Sequence, residues 1–446
     1  MHLENLIFLV SATLLISYVS SLVYSRTRIP DIIWLMAFGL TVGPVLGLVN
    51  KELFLELAPL MSVLALSIIL FEAGINVDVV VLLQTMTKTV VLSVTTILST
   101  IIAVGFVLNY FLPQDFTLLQ AMLLGAMIGG TSTVSVFGVL SVLSKTVKNI
   151  GSTRVLLTME SIISDPLCII ASITLIKMVM LSSVTVSESI KDIFSIFSLS
   201  SLLGIIIGII WARILGKLRG KSLTYMITLA VLLPSYLISE SLIGEGGGAM
   251  TALCFGLAIS NYKYIAERLG ITSKVMIDKH KLREFHEEVT FFIKSFFFVY
   301  IGLIVTISAK YALIGVGIVA MLMILRFLNV KIIGSILSFS KEEEALAQVV
   351  KPAGLPAFVM SQLPMIFDPG KKYFVSPGIY PDLCMPIVLG TVIYSSLAGP
   401  TLAKRALTKE EKEEKPEEKG QKEEEESNEK AHTKRNRTIR LVSSVN

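Results

Sequence analysis

Two carboxylates five residues apart, Glu160 and Asp165, lie in the stretch Met159-Glu160-Ser161-Ile162-Ile163-Ser164-Asp165-Pro166, inside an apolar run from 151 to 181. That run can cross a bilayer, for which about 20 predominantly apolar residues suffice. A charged side chain at membrane depth costs at least about 2.5 kcal/mol, so such groups are rare and usually functional. On a helix Glu160 and Ser164 share a face one turn apart, whereas Asp165 is rotated from Glu160 by about 140°. The two acids therefore need different partners. Pro166 has no N–H, so the carbonyl of Ile162 loses its helical bond and the backbone loosens beside Asp165. A bare carbonyl next to a carboxylate is the kind of oxygen ligand set that hard cations prefer.

Balancing positive charge is available in the run LMILRFLNVKIIG, which carries Arg326 and Lys331. Intramembrane charges tend to pair with one another. A guanidinium stays charged and suits a permanent bridge, so the expected pairing is Arg326 with Glu160. Lys331 either approaches Asp165 or snorkels to the membrane edge. Asp165 is then the group for which a proton and a cation compete. Gly129-Gly130-Thr131-Ser132-Thr133 adds hydroxyls at a point where two glycines let a helix unwind.

The elements that must hold these groups are membrane helices. Of the 446 residues, 53% are hydrophobic and 16% charged, against about 25% charged in soluble domains. The chain therefore reads as an all-α, polytopic membrane protein. About thirteen spans are expected, near 3–24, 30–49, 54–73, 88–112, 117–144, 151–181, 196–218, 222–239, 247–262, 288–308, 311–338, 352–366 and 382–403. The first is too long and lacks the basic start of a signal peptide, so it is read as a retained span. Basic residues crowd one set of connecting loops (Arg26, Arg28, Lys145, Lys148, Lys217, Arg219, Lys279, Lys281, Lys351 among them), and the other set is poor in them. The richer side is cytoplasmic by the positive-inside rule, which places the N-terminus outside and the C-terminus in the cytoplasm of a cell-membrane protein.

The fifth expected span contains the Gly129–Thr133 interruption and the twelfth contains Pro352, Gly354 and Pro356. Interruptions at matching positions of two halves point to inverted repeats with crossed, broken helices at a midplane site. Residues 263–287 read as a polar segment on the inner membrane surface, with His280 and His286 solvated. Lys294, in FFIKSFFFVYIGL, reads as a snorkelling lysine rather than a member of the site. Residues 406–446 are dense in Glu and Lys and read as a disordered cytoplasmic tail. The three cysteines (Cys168, Cys254, Cys384) have no ligand-like spacing. No nucleophile, metal cluster or cofactor motif suggests an enzyme, and the net charge of +5 reflects topology rather than nucleic-acid binding.

These residues resemble those of the NhaP-type monovalent cation–proton antiporters over nearly the whole membrane part. RIPDIIWLMAFGLTVGP is similar to that family's second span, and LFEAGINVD to the end of its third. GGTSTVSV stands where the family has an unwound Thr-Asp-Pro-type crossing, MESIISDP resembles its Glu-x-x-x-Asn-Asp motif, and Arg326 falls at its bridging arginine. The resemblance implies a homodimer in a lipid bilayer. It implies a dimerisation bundle over roughly 1–75 and 222–308, and a mobile ion-carrying bundle over roughly 88–181 and 311–405, in a membrane domain spanning 1–405. It also implies that Asp165 is the alternating-access carrier, with Glu160 and Thr131 or Ser161 as supporting groups; Ser164, Ser132 and Thr133 are the further ion-binding candidates beside it. Ser164 replaces the motif's asparagine, and Thr-Ser-Thr replaces Thr-Asp-Pro. A single titratable carboxylate implies one proton for one cation, hence electroneutral exchange. Na⁺ or Li⁺ is the expected substrate, K⁺/H⁺ exchange is the alternative, and a cation channel or membrane sensor is a more distant one.

Overall fold

The computed structural model describes residues 3–402 apart from 28–30, 50, 134, 137–138, 141–150, 182–185, 219–222, 271–276, 307, 375 and 400. The segment expected as a tail, 406–446, lies outside the described residues, as do Arg28, Lys145, Lys148 and Arg219. The described residues form helices and their connections, with no strand among them. In chain order the helices are α1 (Leu3–Thr27), α2 (Asp31–Leu40, continued by a wider turn Thr41–Val45), α3 (Lys51–Glu56) and α4 (Ala58–Asn76). Then come α5 (Val79–Phe111), α6 (Leu118–Ile128), α7 (Gly151–Met180), α8 (Val186–Lys217), α9 (Thr224–Leu242), α10 (Gly247–Ser260), α11 (Tyr262–Arg268) and α12 (Lys279–Ile304). The last are α13 (Ala309–Leu337), α14 (Lys341–Val349), α15 (Leu355–Phe367) and α16 (Ile379–Ile393, continued by Tyr394–Ala398).

Eight of these helices are long and apolar enough to cross a membrane: α1, α4, α5, α7, α8, α9, α13 and α16. Shorter apolar helices lie at α2, α6, α10 and α15. Local chemistry sets several starts. Asp78 caps α5 by accepting from the N–H of Val80 at 2.9 Å and of Val81 at 3.3 Å. Thr117 and Gln120 form a capping box on α6, as do Ser340 and Glu343 on α14.

Two groups of helices emerge from the packing. In one, α10 packs on α8, α4 and α9, while α12 packs on α2 and α4. In the other, α5, α6 and α7 pack together, and α13 packs on α5, α14 and α16. Small residues set the spacing within the first group, as expected where lipid gives helices little drive to associate. Gly74 on α4 faces the Leu253 carbonyl while Gly256 on α10 faces the Phe71 carbonyl, and a Cβ on either glycine would overlap that oxygen.

Three sequence expectations are corrected here. The twelfth expected span, 352–366, is only the second half of an interrupted pair, α14 and α15, whose break at 350–354 lies inside the protein. Lys351 is consequently buried rather than a residue of a cytoplasmic loop. Of the segment read as polar surface, 263–287, residues 279–287 form the first turns of α12 instead. There Arg283 donates from Nε and Nη2 to the Ile75 carbonyl at 3.2 and 3.1 Å. His286 is buried against Phe71, ring centroids 4.7 Å apart, so one face of this polar stretch is core.

Candidate functional site

The two interruptions meet. α6 ends at Ile128, and the chain runs through Gly129–Ser132 without regular structure. The N–H of Ser132 donates to the Pro352 carbonyl at 2.7 Å, which ties this break to the one between α14 and α15. Glycines permit the approach. A Cβ on Gly354 would overlap the Ser132 side chain, and one on Gly130 would lie 3.4 Å from Ser164 Oγ and 3.6 Å from Asp165 Oδ1. The freed N–H of Ala353 donates to Thr391 Oγ1 at 3.0 Å, and that of Lys351 to Ser395 Oγ at 3.2 Å. Hydroxyls on α16 thus satisfy backbone that has lost its helical partners, a requirement in a membrane interior.

α7 crosses beside this junction and presents both acids. Glu160 faces α13, where Arg326 engages both of its oxygens in a fork, with Nη2 to Oε2 at 2.8 Å. Arg326 Nε also donates to the Ala347 carbonyl at 2.6 Å, satisfying an acceptor near the C-terminal end of α14. Both side chains are buried, Arg326 completely. Such two-point pairing is the strongest geometry open to a carboxylate.

Asp165, on another face of α7, has no ion-pair partner among the described residues. It lines a cavity of about 140 Å³ together with Ser132, Thr133, Leu355 and Pro356 on the crossing side. Ser164 sits beside it: its Oγ accepts from the Thr131 N–H at 3.1 Å, lies 3.4 Å from Thr131 Oγ1 and donates to the Ser161 carbonyl at 3.2 Å. The Ser161 hydroxyl is turned to its own helix, donating to the Thr158 carbonyl at 2.8 Å. Thr131, Ser132, Ser164 and Asp165 are therefore together at the junction, with Ser161 one turn back along α7.

A family model described as sodium/hydrogen exchanger, transmembrane, matches residues 10–408. The chain belongs to the sodium/hydrogen exchanger family. Among its relatives, the Na(+)/H(+) antiporter ApNhaP of Aphanothece halophytica is 26% identical over 306 residues, 68% of this chain and 54% of the relative. The probable Na(+)/H(+) antiporter 2 of Methanocaldococcus jannaschii is 23% identical over 290 residues, 65% of this chain and 67% of the relative. The match thus spans little more than half of the first relative's length. The solved structure of the sodium proton antiporter MjNhaP1 from Methanocaldococcus jannaschii at pH 8 superposes with a TM-score of 0.70. It covers 91% of this chain and 97% of its own at 18% identity, so the fold is shared. This member of the exchanger family is accordingly a polytopic, all-helical membrane protein with an NhaP-type sequence.

Two charged residues of the site escape a reading of the sequence. Lys351 is buried at the break, and its Nζ donates to the Ile128 carbonyl at 3.3 Å, placing a cation at the C-terminal end of α6. Hydropathy hides it, because α14 is nine residues long and begins Lys-Glu-Glu-Glu, which looks like a loop. The Ser340–Glu343 box ahead of an apolar run was the available signal. The other is Lys294, which lines the same cavity as Asp165. Lys331, by contrast, is exposed on α13.

Proposed function

We propose that this chain is a secondary active transporter that exchanges a monovalent cation, Na⁺ or Li⁺ by preference, for H⁺. The observation that carries this reading is the contrast on α7: an unpaired Asp165 at the crossing of two broken helices, facing a cavity, beside a Glu160 already neutralised by Arg326. A carboxylate without a fixed counter-charge can hold either a proton or a cation, and holding one excludes the other. The oxygens of Thr131, Ser132, Thr133 and Ser164 complete an oxygen-rich surround, with Ser161 behind them. One exchanging carboxylate favours one proton for one cation, and therefore electroneutral transport.

The cavity supports an alternating-access reading. Its far walls come from α1, α2, α4 and α12, so it lies between the two helix groups. At another contact of the first group with α16, Asp382 accepts from the Thr306 N–H at 2.8 Å, and Lys51 donates to Thr306 Oγ1 at 3.0 Å. With the eight long helices, the shorter ones and α12 taken as crossings, the spans number about thirteen. In this reading α5–α7 and α13–α16 form the moving, ion-carrying bundle, related by inverted repeats. Helices α1–α4 and α9–α12 form the dimerisation bundle of a homodimer, α8 connects the two halves, and the cavity is on the cytoplasmic side. K⁺ is the second candidate, because Ser164 offers a hydroxyl already shared between Thr131 and Ser161 where the family motif carries an amide.

The test is cation-by-cation exchange in proteoliposomes holding a preset pH gradient. Added Na⁺ should dissipate the gradient, an imposed voltage should not change the rate, and Asp165→Asn should reduce the response to that of empty liposomes. Full exchange by Asp165→Asn would refute the mechanism.

A further inference from the structure

The cavity in front of Asp165 holds two more fixed charges, of opposite sign. Asp31 stands at the start of α2 and Lys294 on α12, and with Asp165 they are the charged residues that line it among the described residues. The rest of the lining is hydroxyl or apolar, including Ser21 and Tyr24 on α1 and Phe298 one turn from Lys294. Both charged side chains are partly exposed, whereas Asp165 is buried. Neither makes an ion pair among the described residues. The carboxylate of Glu72 on α4, which does not line the cavity, lies within electrostatic reach of Lys294 and of Glu287.

We infer that Lys294 and Asp31 form a charge-selecting vestibule that sets the apparent affinity for the monovalent cation arriving from the cavity side. This rests on the exchange proposed above. A cation moving toward Asp165 passes two partly exposed charges in the cavity wall, where a cleft focuses fields and solvent screens them only in part. Lys294 opposes its entry, while Asp31 favours it.

The placement adds a second property. Asp31 and Lys294 belong to the helix group opposite the one that carries Asp165. When Asp165 faces the other side of the membrane, these two charges no longer stand in its path. Their influence is therefore one-sided, confined to cation presented at the cavity mouth.

The experiment measures the apparent KM for Na⁺ separately at each membrane face, with the full-length chain in everted and right-side-out vesicles. Lys294→Met should lower KM by about three- to tenfold at one face only, the size expected of removing one nearby charge at partial screening. Its kcat and the KM at the opposite face should hold, and Lys294→Arg should restore the wild-type value. Asp31→Asn should raise the same KM, which keeps the inference testable if Lys294→Met fails to fold. Unchanged KM in the variants that fold, or equal shifts at both faces, would overturn the vestibule and leave the exchange mechanism standing. Absence of any cation-driven exchange by the wild-type chain would instead overturn the function on which it rests.

Discussion

Glu160 and Asp165 occupy one helix, five residues apart, both almost fully buried, yet their surroundings differ in every respect that matters chemically. Glu160 has a guanidinium on both oxygens and does not line the cavity. Asp165 has neighbouring hydroxyls, a cavity and no paired cation. Burial by itself therefore does not mark an ion carrier. A buried charge suits the proposed carrier role when its neutralising partner is left to the solvent, to be supplied as a proton or a cation in turn. The rotation of about 140° between the two positions is what lets one helix serve both purposes.

The sharpest way to break this contrast is to remove each charge and ask which property fails. Asp165→Asn should abolish exchange while leaving the melting temperature near the wild-type value, since no ion pair is lost. Glu160→Gln and Arg326→Gln should each behave in the opposite sense. Either strands a buried charge, a loss of about 3–5 kcal/mol for such pairs, visible as poor yield and early melting in detergent. The double variant should recover part of that loss, because no uncompensated charge remains; strictly additive losses would mean that the pair is not coupled.

Next in size is Lys351→Met. The ammonium donates to the Ile128 carbonyl where α6 ends, and a buried acceptor left without a donor costs about 1–3 kcal/mol. Thermal unfolding should report a loss of that order. If Lys351 also balances Asp165 across the junction, the variant should raise the apparent affinity for the cation as well, because a competing positive charge is gone. Unchanged stability would show that another donor reaches Ile128.

Both acids, Arg326 and the first interruption could be read in the sequence, because each departs from its apolar surroundings: a charge inside a span, or two glycines followed by three hydroxyls. The second interruption is marked by Pro352, Gly354 and Pro356, but the helix that precedes it could not be read. α14 is amphipathic and short, with Glu343 buried beside Lys88 at 2.9 Å, so its charges satisfy partners inside the fold while looking solvated in the sequence. Lys294 was missed for a related reason. A lysine near aromatic residues usually snorkels, and only packing of α12 against α2 and α4 reveals a cavity on that side. Hydropathy reports how much of a segment is apolar, and it is blind to which polar residues share a pocket.

Ser164→Ala probes the contrast more finely. It removes the acceptor for the Thr131 N–H and one of the oxygens beside Asp165, so about 1 kcal/mol of stability and a few-fold change in the Na⁺/K⁺ preference are expected. Ser164→Asn restores the residue type of the family motif. If it shifts the preference toward Na⁺, the serine is a determinant of ion choice; an unchanged ratio would confine Ser164 to holding the crossing together.

The smallest effect is expected at Lys331, and its absence is informative. Lys331 follows Arg326 by five residues on α13, the same spacing that separates Asp165 from Glu160, which invites a second ion pair parallel to the first. The structure does not pair them that way. With Arg326 turned into the protein, Lys331 is rotated about 140° away and is exposed, while the cation buried at the crossing comes from Lys351 on a different segment. Lys331→Gln should therefore leave the exchange rate, the apparent KM and the melting temperature unchanged. A loss of exchange in that variant would mean that Asp165 does have a lysine partner on α13 in some stage of the cycle. The division between a paired acid and an unpaired one would then describe only one conformation of the protein.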